Sequence, residues 1–205
     1  MITSFSGPNR FLSNFWHAPI EVEVTVVMTK TGITFSWPVK ADTVEHGFQA
    51  CKAADGKDFY AIMNSASPAI AKQMGRNVGM IPEWEEIRVE VMRQLVTAKF
   101  EQNPDEAIML ADTGDVELIE GNHWGDTFWG ICRGKGENNL GTILMGVREF
   151  IQEVLWDVLD EQAQDDAVHT HHPAARKQNP YSEGTYRHRV WSDRYHHHLL
   201  NERQR

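Results

Sequence analysis

The alternation of apolar and polar side chains in residues 20–28 is the feature that most restricts the fold of this 205-residue chain. Side chains two apart in a strand share one face, so the order Ile-Glu-Val-Glu-Val-Thr-Val-Val-Met predicts a strand with one buried face. The segment Lys30-Thr31-Gly32 predicts a turn, and residues 33–37 predict a second short strand. These segments together predict a β-hairpin.

Most of the remaining chain has the pattern of helices with recognisable start signals. Thr43 is a predicted N-cap, and Pro68 and Gly75 stand at the first and last positions where helices favour them. Five helices are predicted. The first begins after Thr43, the second runs from Ser67 to Gly75, and the third covers residues 83–102. The fourth begins at Asn103-Pro104, and the fifth covers residues 139–159. The pattern therefore predicts an α+β fold that is mostly helical with a small antiparallel sheet.

The composition is that of a globular enzyme from a reducing compartment. Hydrophobic residues make up 41% of the chain, yet no run of about 18 apolar residues predicts a membrane span. The first residues lack the basic and apolar regions of a secretory signal. Cys51 and Cys132 form no CxxC pair and suggest no disulfide framework. We expect a cytoplasmic protein.

Charge and histidine content divide the chain near residue 160. The net charge is −9, but acids and bases balance within residues 160–205, so the excess negative charge lies in residues 1–159. An acidic body binds nucleic acid poorly except through a local pocket or a tail. Residues 160–205 hold seven of the ten histidines and no sustained periodicity. We predict a catalytic domain over residues 1–159 and a flexible His-rich extension over residues 160–205, with no matched spacing for a closed zinc site.

Three polar side chains, Glu45, Gln49 and Lys52, are spaced to share one helix face. A carboxylate, an amide and an amine in such a stripe can transfer a proton, orient a polar substrate and attack an electrophilic carbon. The residues alone leave a second interpretation open, namely an exposed helix face stabilised by ordinary side-chain pairs.

Three further segments contain candidate site residues, and a structural interpretation competes with the chemical one for these as well. Asp126 stands between Trp124 and Trp129, which suggests a carboxylate in a dry, stacking cleft. The glycine-rich residues 134–141 enter a helix and could accept phosphate, although a plain turn explains them equally well. Arg76 follows a helix end and could bind a phosphate or a surface carboxylate.

Read together and in order, these segments resemble the NADAR family, also called the YbiA-like family. The resemblance extends over roughly residues 5–155. The segments that carry it are residues 11–15 (Phe-Leu-Ser-Asn-Phe), 43–52 (Thr-Val-Glu-His-Gly-Phe-Gln-Ala-Cys-Lys), 74–76 (Met-Gly-Arg), Trp84, 91–93 (Val-Met-Arg), 99–100 (Lys-Phe), 126–130 (Asp-Thr-Phe-Trp-Gly), 138–141 (Asn-Asn-Leu-Gly), 143–145 (Ile-Leu-Met) and Arg148.

The resemblance implies an N-glycosidase that breaks a C1–N bond of ribose. By this similarity Glu45 is the general acid/base, Lys52 captures the ribose C1 as a Schiff base, and Asp126 orients the sugar hydroxyls or assists proton transfer. Trp84 shapes the pocket by stacking, and Asn14 approaches the ribose. The full set of implied substrate-binding residues is Asn14, Phe15, Gln49, Arg76, Trp84, Trp129, Asn138 and Asn139, of which Arg76 and the two asparagines would hold phosphates.

The same resemblance implies the substrates and leaves three functions open. Members of the family remove ADP-ribose from guanine bases of nucleic acid, reversing the action of ADP-ribosyltransferase toxins, and others cleave early riboflavin-pathway intermediates. The leading expectation here is removal of ADP-ribose from guanine in DNA or RNA, with a cognate transferase toxin as a candidate partner. The alternatives are a riboflavin-pathway N-glycosidase and a non-catalytic ADP-ribose-binding module. We expect no metal, no cofactor and no membrane association.

Overall fold

The computed structural model describes residues 1–28 and 30–153. Within this part the chain forms two compact units. The first joins Met1–Asn103 to Asp115–Val147, and the second joins Pro104–Gly114 to residues 148–153. The predicted extension over residues 160–205, including its histidines, lies outside the described residues, and the predicted boundary after residue 159 stays a prediction.

The predicted hairpin is confirmed in the first unit. Strands β1 (Ile20–Val27) and β2 (Thr34–Ala41) pair antiparallel, in a register that places Ile20 opposite Ala41 and Val27 opposite Thr34. The second strand extends beyond the predicted residue 37 because Val39 and Ala41 also bury their side chains. Pro38 interrupts the sequence pattern, but a proline is tolerated in a two-stranded sheet, where every strand is an edge.

Glutamine side chains of the long helix α4 (Trp84–Gln102) complete the hydrogen bonding of β1. Gln94 accepts from the backbone N–H of Thr25 at 2.9 Å and donates to the Thr25 carbonyl at 2.7 Å. Gln102 likewise accepts from the N–H of Glu21 and donates to its carbonyl. The amide side chains therefore occupy the outer edge of the hairpin, which would otherwise be open to pairing with another chain.

Two further helices begin where the sequence signals predict. Thr43 accepts a hydrogen bond from His46 N at the start of α1 (Val44–Cys51), and Ser67 caps α3 (Pro68–Gly75). Helix α2 (Gly56–Met63) was not predicted, because its Asp55-Gly56 start has the composition of a turn, although Asp55 caps it through Lys57 N. The remaining helical segments of the first unit are a 3-10 helix (Gly7–Leu12) and residues 139–147. Those of the second unit are α5 (Pro104–Ala111) and residues 148–153.

Helix α1 lies at the centre of the first unit. All eight of its residues are buried, and it packs against α2, α3 and α4. Glu45 is only 5% exposed and Gln49 only 8% exposed. This burial excludes the interpretation of the polar stripe as a solvated helix face.

Two very short strands position the loop that carries Asp126. Strand β3 (Gly121–Asn122) pairs in parallel with β4 (Ile131–Cys132), so the residues between them form a closed loop. The structure thus has an α+β fold, mostly helical with small sheets, as the sequence predicts. In the described part of the chain, no helix has both the length and the apolar character that a membrane crossing requires.

The second unit is tied together by side chains of residues 148–153. Arg148 donates to Thr113 Oγ1 at 3.0 Å, and Gln152 donates to the carbonyl of Ala111 at 3.0 Å. These bonds engage the carboxyl end of α5 and the residues that follow it, where helix carbonyls lack partners within the helix.

Candidate active site

A cavity of about 620 Å³ lies within the first unit and brings together side chains from distant parts of the chain. Its volume falls in the range of small-molecule binding sites. The lining combines aromatic, acidic, basic and amide groups: Phe5, Ser6, Gly7, Arg10, Ser13, Asn14, Phe15, Glu45, Phe48, Gln49, Lys72, Met92, Glu120, Trp124, Asp126, Trp129 and Leu140. The cavity is the candidate site.

Glu45 and Gln49 form a hydrogen-bonded pair on α1, as their spacing predicts. Gln49 Nε2 donates to Glu45 Oε1 at 3.0 Å. Burial raises the pKa of the Glu45 carboxyl above its ordinary value, while Lys72, the Gln49 bond, Arg76 and Lys52 act in the opposite direction. A carboxyl with a raised pKa is suited to both giving and taking a proton near neutral pH.

The close approach of α1 and α3 depends on Gly75. A Cβ built on Gly75 would lie 2.1 Å from Gln49 Oε1, so a side chain there would collide with the Gln49 carboxamide. Gln49 Oε1 is buried and has no hydrogen-bond partner among the described residues. The Gln49 amide thus stabilises Glu45 through its nitrogen and leaves its oxygen unused.

The two lysines near Glu45 occupy different positions. Lys52 caps the carboxyl end of α1, and its Nζ donates to the Gly75 carbonyl at 2.6 Å. Among the described residues the cavity lining includes Lys72 but not Lys52. Burial lowers the pKa of the Lys52 ammonium, with nearby Glu85 and Glu45 opposing this effect, as a nucleophilic amine requires. The assignment of C1 capture to Lys52 stays a prediction.

Asp126 lines the cavity and also fixes its own loop. Its Oδ1 accepts from the backbone N–H groups of Phe128 at 3.1 Å and Trp129 at 2.8 Å. Asn122 grips the Asp126 backbone from both sides, donating to its carbonyl at 2.7 Å and accepting from its N–H at 3.1 Å. This network holds Asp126 at the cavity. Asp126 lies in a loop rather than in a helix or strand, and the four hydrogen bonds fix the position of that loop.

An aromatic row supports one side of the cavity. Trp84 packs on Phe48 with ring centroids 5.0 Å apart, and Phe48 meets the edge of Trp129 at 5.4 Å. Phe48 and Trp129 line the cavity, whereas Trp84 is 4% exposed and supports them from behind. Trp84 therefore contacts the cavity wall through Phe48 and does not itself belong to the described lining, and its predicted role in shaping the pocket stays a prediction. Trp124 differs from these rings because it lines the cavity yet remains 68% exposed.

The predicted substrate-binding residues of the first loop reach the cavity. Asn14 and Phe15 both line it. The backbone carbonyl of Asn14 accepts from Glu45 N at 3.0 Å, which ties this loop to the start of α1. The Asn14 side chain donates to Met92 Sδ at 3.3 Å, and its Oδ1 is buried without a partner in the described part of the chain.

The predicted phosphate-binding residues lie elsewhere. Arg76 is exposed at the end of α3 and is not among the lining residues. The Asn138 carboxamide donates to Leu118 O and accepts from Glu120 N, and the Asn139 carboxamide donates to Phe128 O and Glu137. The structure thus gives both asparagines bonds within the protein, and their phosphate contacts stay predictions.

Three charged lining residues, Arg10, Lys72 and Glu120, were not predicted from the sequence. Lys72 lies on α3 and is the largest of the charge influences on Glu45. Burial raises the pKa of Glu120 to about 7, with a further contribution from the nearby Asp126. No spacing rule links Lys72 to α1, and the signal for Glu120 was only its place six residues before Asp126.

Comparison with known proteins identifies close similarities over most of the described chain. The model of the NADAR domain matches residues 4–152. The N-glycosidase YbiA of Escherichia coli (strain K12) is 38% identical over 122 residues, covering 56% of this chain and 76% of that protein. The N-glycosidase YbiA of Shigella sonnei (strain Ss046) is 39% identical over the same coverage of both chains.

A longer relative and a solved structure extend these similarities. The riboflavin biosynthesis protein VVA0006 of Vibrio vulnificus (strain YJ016) is 39% identical over 146 residues, which are 70% of this chain but 36% of that protein. The NMR structure of the E. coli protein YbiA matches with a TM-score of 0.57 and 32% identity, covering 84% of this chain and 89% of that one. The similarity therefore includes both sequence and fold.

Proposed function

The chain belongs to the NADAR domain family, and on that premise we propose that it is an N-glycosidase that removes ADP-ribose from ADP-ribosylated guanine in nucleic acid. Its relatives named YbiA are N-glycosidases, hydrolases of N-glycosyl bonds, and this chain is an enzyme of that class. The names of the relatives support cleavage of an N-glycosyl bond, whereas guanine as the leaving base is proposed from the cavity.

The observation that carries the proposal is the chemical character of the cavity lining. Three carboxyl side chains line the cavity, those of Glu45, Glu120 and Asp126. The lining residues Asn14 and Gln49 each have a buried amide oxygen that has no hydrogen-bond partner among the described residues. Buried acceptors of this kind need donors. Ribose hydroxyls and the N–H groups of a base supply donors, whereas phosphate oxygens do not.

The cavity also contains the groups that N-glycosidic cleavage requires. Glu45 is positioned as the general acid/base, because it is buried, hydrogen bonded and raised in pKa. Asp126 lies on a loop fixed by four hydrogen bonds and can orient the sugar. Charge that develops on the sugar ring as the C1–N bond breaks is stabilised by the carboxylates around it.

Cationic side chains at the cavity offer a place for the pyrophosphate of ADP-ribose. Arg10 and Lys72 both belong to the lining. Lys72 Nζ also lies 5.4 Å from the centre of the Phe15 ring. Because the predicted phosphate residues Arg76, Asn138 and Asn139 lie outside the lining, Arg10 and Lys72 are the cations best placed to bind the diphosphate.

A second candidate function is cleavage of an early riboflavin-pathway intermediate. It is favoured by the similarity to the Vibrio protein, which is named a riboflavin biosynthesis protein and aligns with 70% of this chain. Such an intermediate carries one phosphate rather than two and a pyrimidine in place of guanine. Both candidates share the bond that is broken.

The proposal is tested by giving the protein both substrates and identifying the products by mass spectrometry. With an oligonucleotide ADP-ribosylated on guanine, we expect free ADP-ribose and an unmodified oligonucleotide. Release of pyrimidine from the ribosyl phosphate, with the oligonucleotide unchanged, would instead support the second candidate. Tight binding of ADP-ribose with neither substrate cleaved would support a non-catalytic binding module.

Covalent capture by lysine gives a further expected result. Borohydride added during turnover reduces an imine, so a Schiff base at C1 leaves the sugar attached to the protein. We expect peptide mapping to find the adduct on Lys52, and we expect Lys52→Ala to abolish labelling. Lys57→Ala is the matched control, because Lys57 is an exposed lysine of α2 outside the cavity lining, and it should leave the labelling unchanged. An adduct on Lys72 alone would move the covalent role from Lys52 to Lys72.

The exposed ring of Trp124 predicts a stacking surface for the departing base. A base stacked on an aromatic side chain gains about 1–3 kcal/mol. We therefore expect Trp124→Ala to raise KM about tenfold and to change kcat little. Trp124→Phe retains a ring and should behave nearly as wild type. Steady-state kinetics on the modified oligonucleotide provide the measurement, and an unchanged KM for Trp124→Ala would contradict the stacking role.

A further inference from the structure

Glu120 is a carboxyl residue of the cavity lining, and backbone hydrogen bonds fix its position. Its backbone N–H donates to Asn138 Oδ1 at 3.0 Å, and its carbonyl accepts from Ile131 N at 2.9 Å. Gly130 packs directly against it, since a Cβ there would lie 2.0 Å from the Glu120 carbonyl oxygen. The backbone is thereby held by these three contacts, at a position where Glu120 lines the cavity.

The Glu120 carboxyl differs from Glu45 in its immediate surroundings. Glu45 accepts a hydrogen bond from Gln49, and Lys72, Arg76 and Lys52 all favour its charged form. Glu120 Oε2 is buried and has no hydrogen-bond partner in the described part of the chain.

The charged groups that face Glu120 also differ from those around Glu45. Asp126 disfavours the charged form of Glu120, and only Lys72 is identified as favouring it. Arg10 and Glu45 complete the charged groups of the lining. Burial raises the pKa of both carboxyls, but the cations and the amide around Glu45 oppose this effect, whereas Asp126 adds to it at Glu120. Two carboxyls whose charged neighbours differ in this way are suited to act as a base and an acid in one reaction.

Resting on the proposed function, we propose that Glu120 is a further catalytic residue, the acid that protonates the departing base, while Glu45 acts as the base. As the C1–N bond breaks, its electron pair passes to the base nitrogen, which takes the proton from Glu120. The nucleophile, either the neutral Lys52 amine or water, bonds to C1 and gives up its proton to the Glu45 carboxylate. The proton from Glu120 leaves with the base, and the proton that water gives up passes from Glu45 to Glu120 through solvent, which restores both carboxyls. Where Lys52 is the nucleophile, water releases the sugar by hydrolysing the adduct.

This assignment fixes the sign of the pH dependence. Glu120 must hold a proton to act as the acid, and its pKa is raised by burial to about 7. Activity should therefore fall as the pH rises through about 7. Stability should also fall with rising pH, between the ordinary value of 4.5 and about 7, because over that range the unfolded chain ionises while the folded Glu120 still holds its proton.

The test compares Glu120→Gln with wild type on the oligonucleotide ADP-ribosylated on guanine. We expect kcat/KM at pH 6 to fall about 10²-fold, and the decline of activity above pH 7 to disappear. We also expect Glu120→Gln to melt at a higher temperature than wild type at pH 8 but not at pH 4, since glutamine mimics the protonated side chain. Glu117→Gln, an exposed neighbour, is the control and should change none of these results.

The outcomes separate this role from the proposed function. If wild type cleaves the oligonucleotide and Glu120→Gln retains both its rate and its alkaline decline, Glu120 is not the acid. A lower rate with an unchanged pH profile would indicate a structural effect and would equally overturn the assignment. If wild type cleaves neither the oligonucleotide nor the ribosyl phosphate, the proposed function itself fails, and the role of Glu120 fails with it.

Discussion

Replacing Glu45 with glutamine is expected to lower kcat/KM by about 10⁴-fold, near the upper end of the contribution of a general acid or base. Glutamine keeps the shape of the side chain and an oxygen that can accept the bond from Gln49 Nε2. It cannot take up a proton from a nucleophile. Because the Glu45 carboxylate is buried, with its pKa raised by desolvation, a neutral isostere should fold at least as well as wild type.

The measurement combines steady-state kinetics with thermal denaturation of the same samples. Glu86→Gln is the matched control, because Glu86 is an exposed glutamate of α4, and it should retain wild-type activity and stability. A Glu45→Gln protein that folds normally and keeps more than about a tenth of the wild-type kcat/KM would remove Glu45 from the chemistry, since an essential general base contributes at least about 10²-fold.

Replacing Lys99 with methionine is expected to destabilise the fold by about 3 kcal/mol, because it removes a charged donor from the buried Phe11 carbonyl and leaves the Ser13 carbonyl with only the Trp16 N–H among the described donors. Lys99 is 1% exposed. Its Nζ donates to Phe11 O at 2.5 Å and to Ser13 O at 3.0 Å. Those carbonyls belong to the loop that carries Asn14 and Phe15 into the cavity, so the same substitution should also weaken substrate binding.

For a domain of this size, 3 kcal/mol corresponds to a decrease in Tm of about 6–12 °C. Circular dichroism during heating measures it. Lys57→Met applies the same chemical change to an exposed lysine near the start of α2 and should leave Tm within about 2 °C of wild type. A Lys99→Met protein as stable as Lys57→Met would show that the loop is held by other contacts.

The parts of the fold that depend on local sequence were predicted correctly. The alternation in residues 20–28 identified the hairpin, and Thr43, Pro68 and Gly75 marked helix ends, because strand periodicity and capping are properties of neighbouring residues. Helix α2 was missed for a local reason as well. Its N-cap and first residue, Asp55 and Gly56, are also the residues that turns favour.

The composition of the site could be predicted only within one element at a time. The bond between Glu45 and Gln49 follows from helical spacing. Lys72 and Glu120 reach the same cavity from α3 and from the residue before β3, and helical spacing within α1 carries no information about either segment. Lys52 shows the same limit. Its spacing places it on the stripe of Glu45, but at the carboxyl end of α1 its ammonium meets the Gly75 carbonyl of α3.

The central claim is that the ribosyl C1–N bond is broken in the cavity where Glu45, Glu120 and Asp126 meet Lys72. The most direct test is a crystal structure of the Glu45→Gln protein with guanosine ADP-ribosylated on its base. The account predicts the ribose C1 beside residue 45, the guanine towards Trp124 and Glu120, and the diphosphate at Arg10 and Lys72. A ligand bound outside this cavity, or one with its phosphates against the three acidic positions and its ribose in solvent, would contradict it.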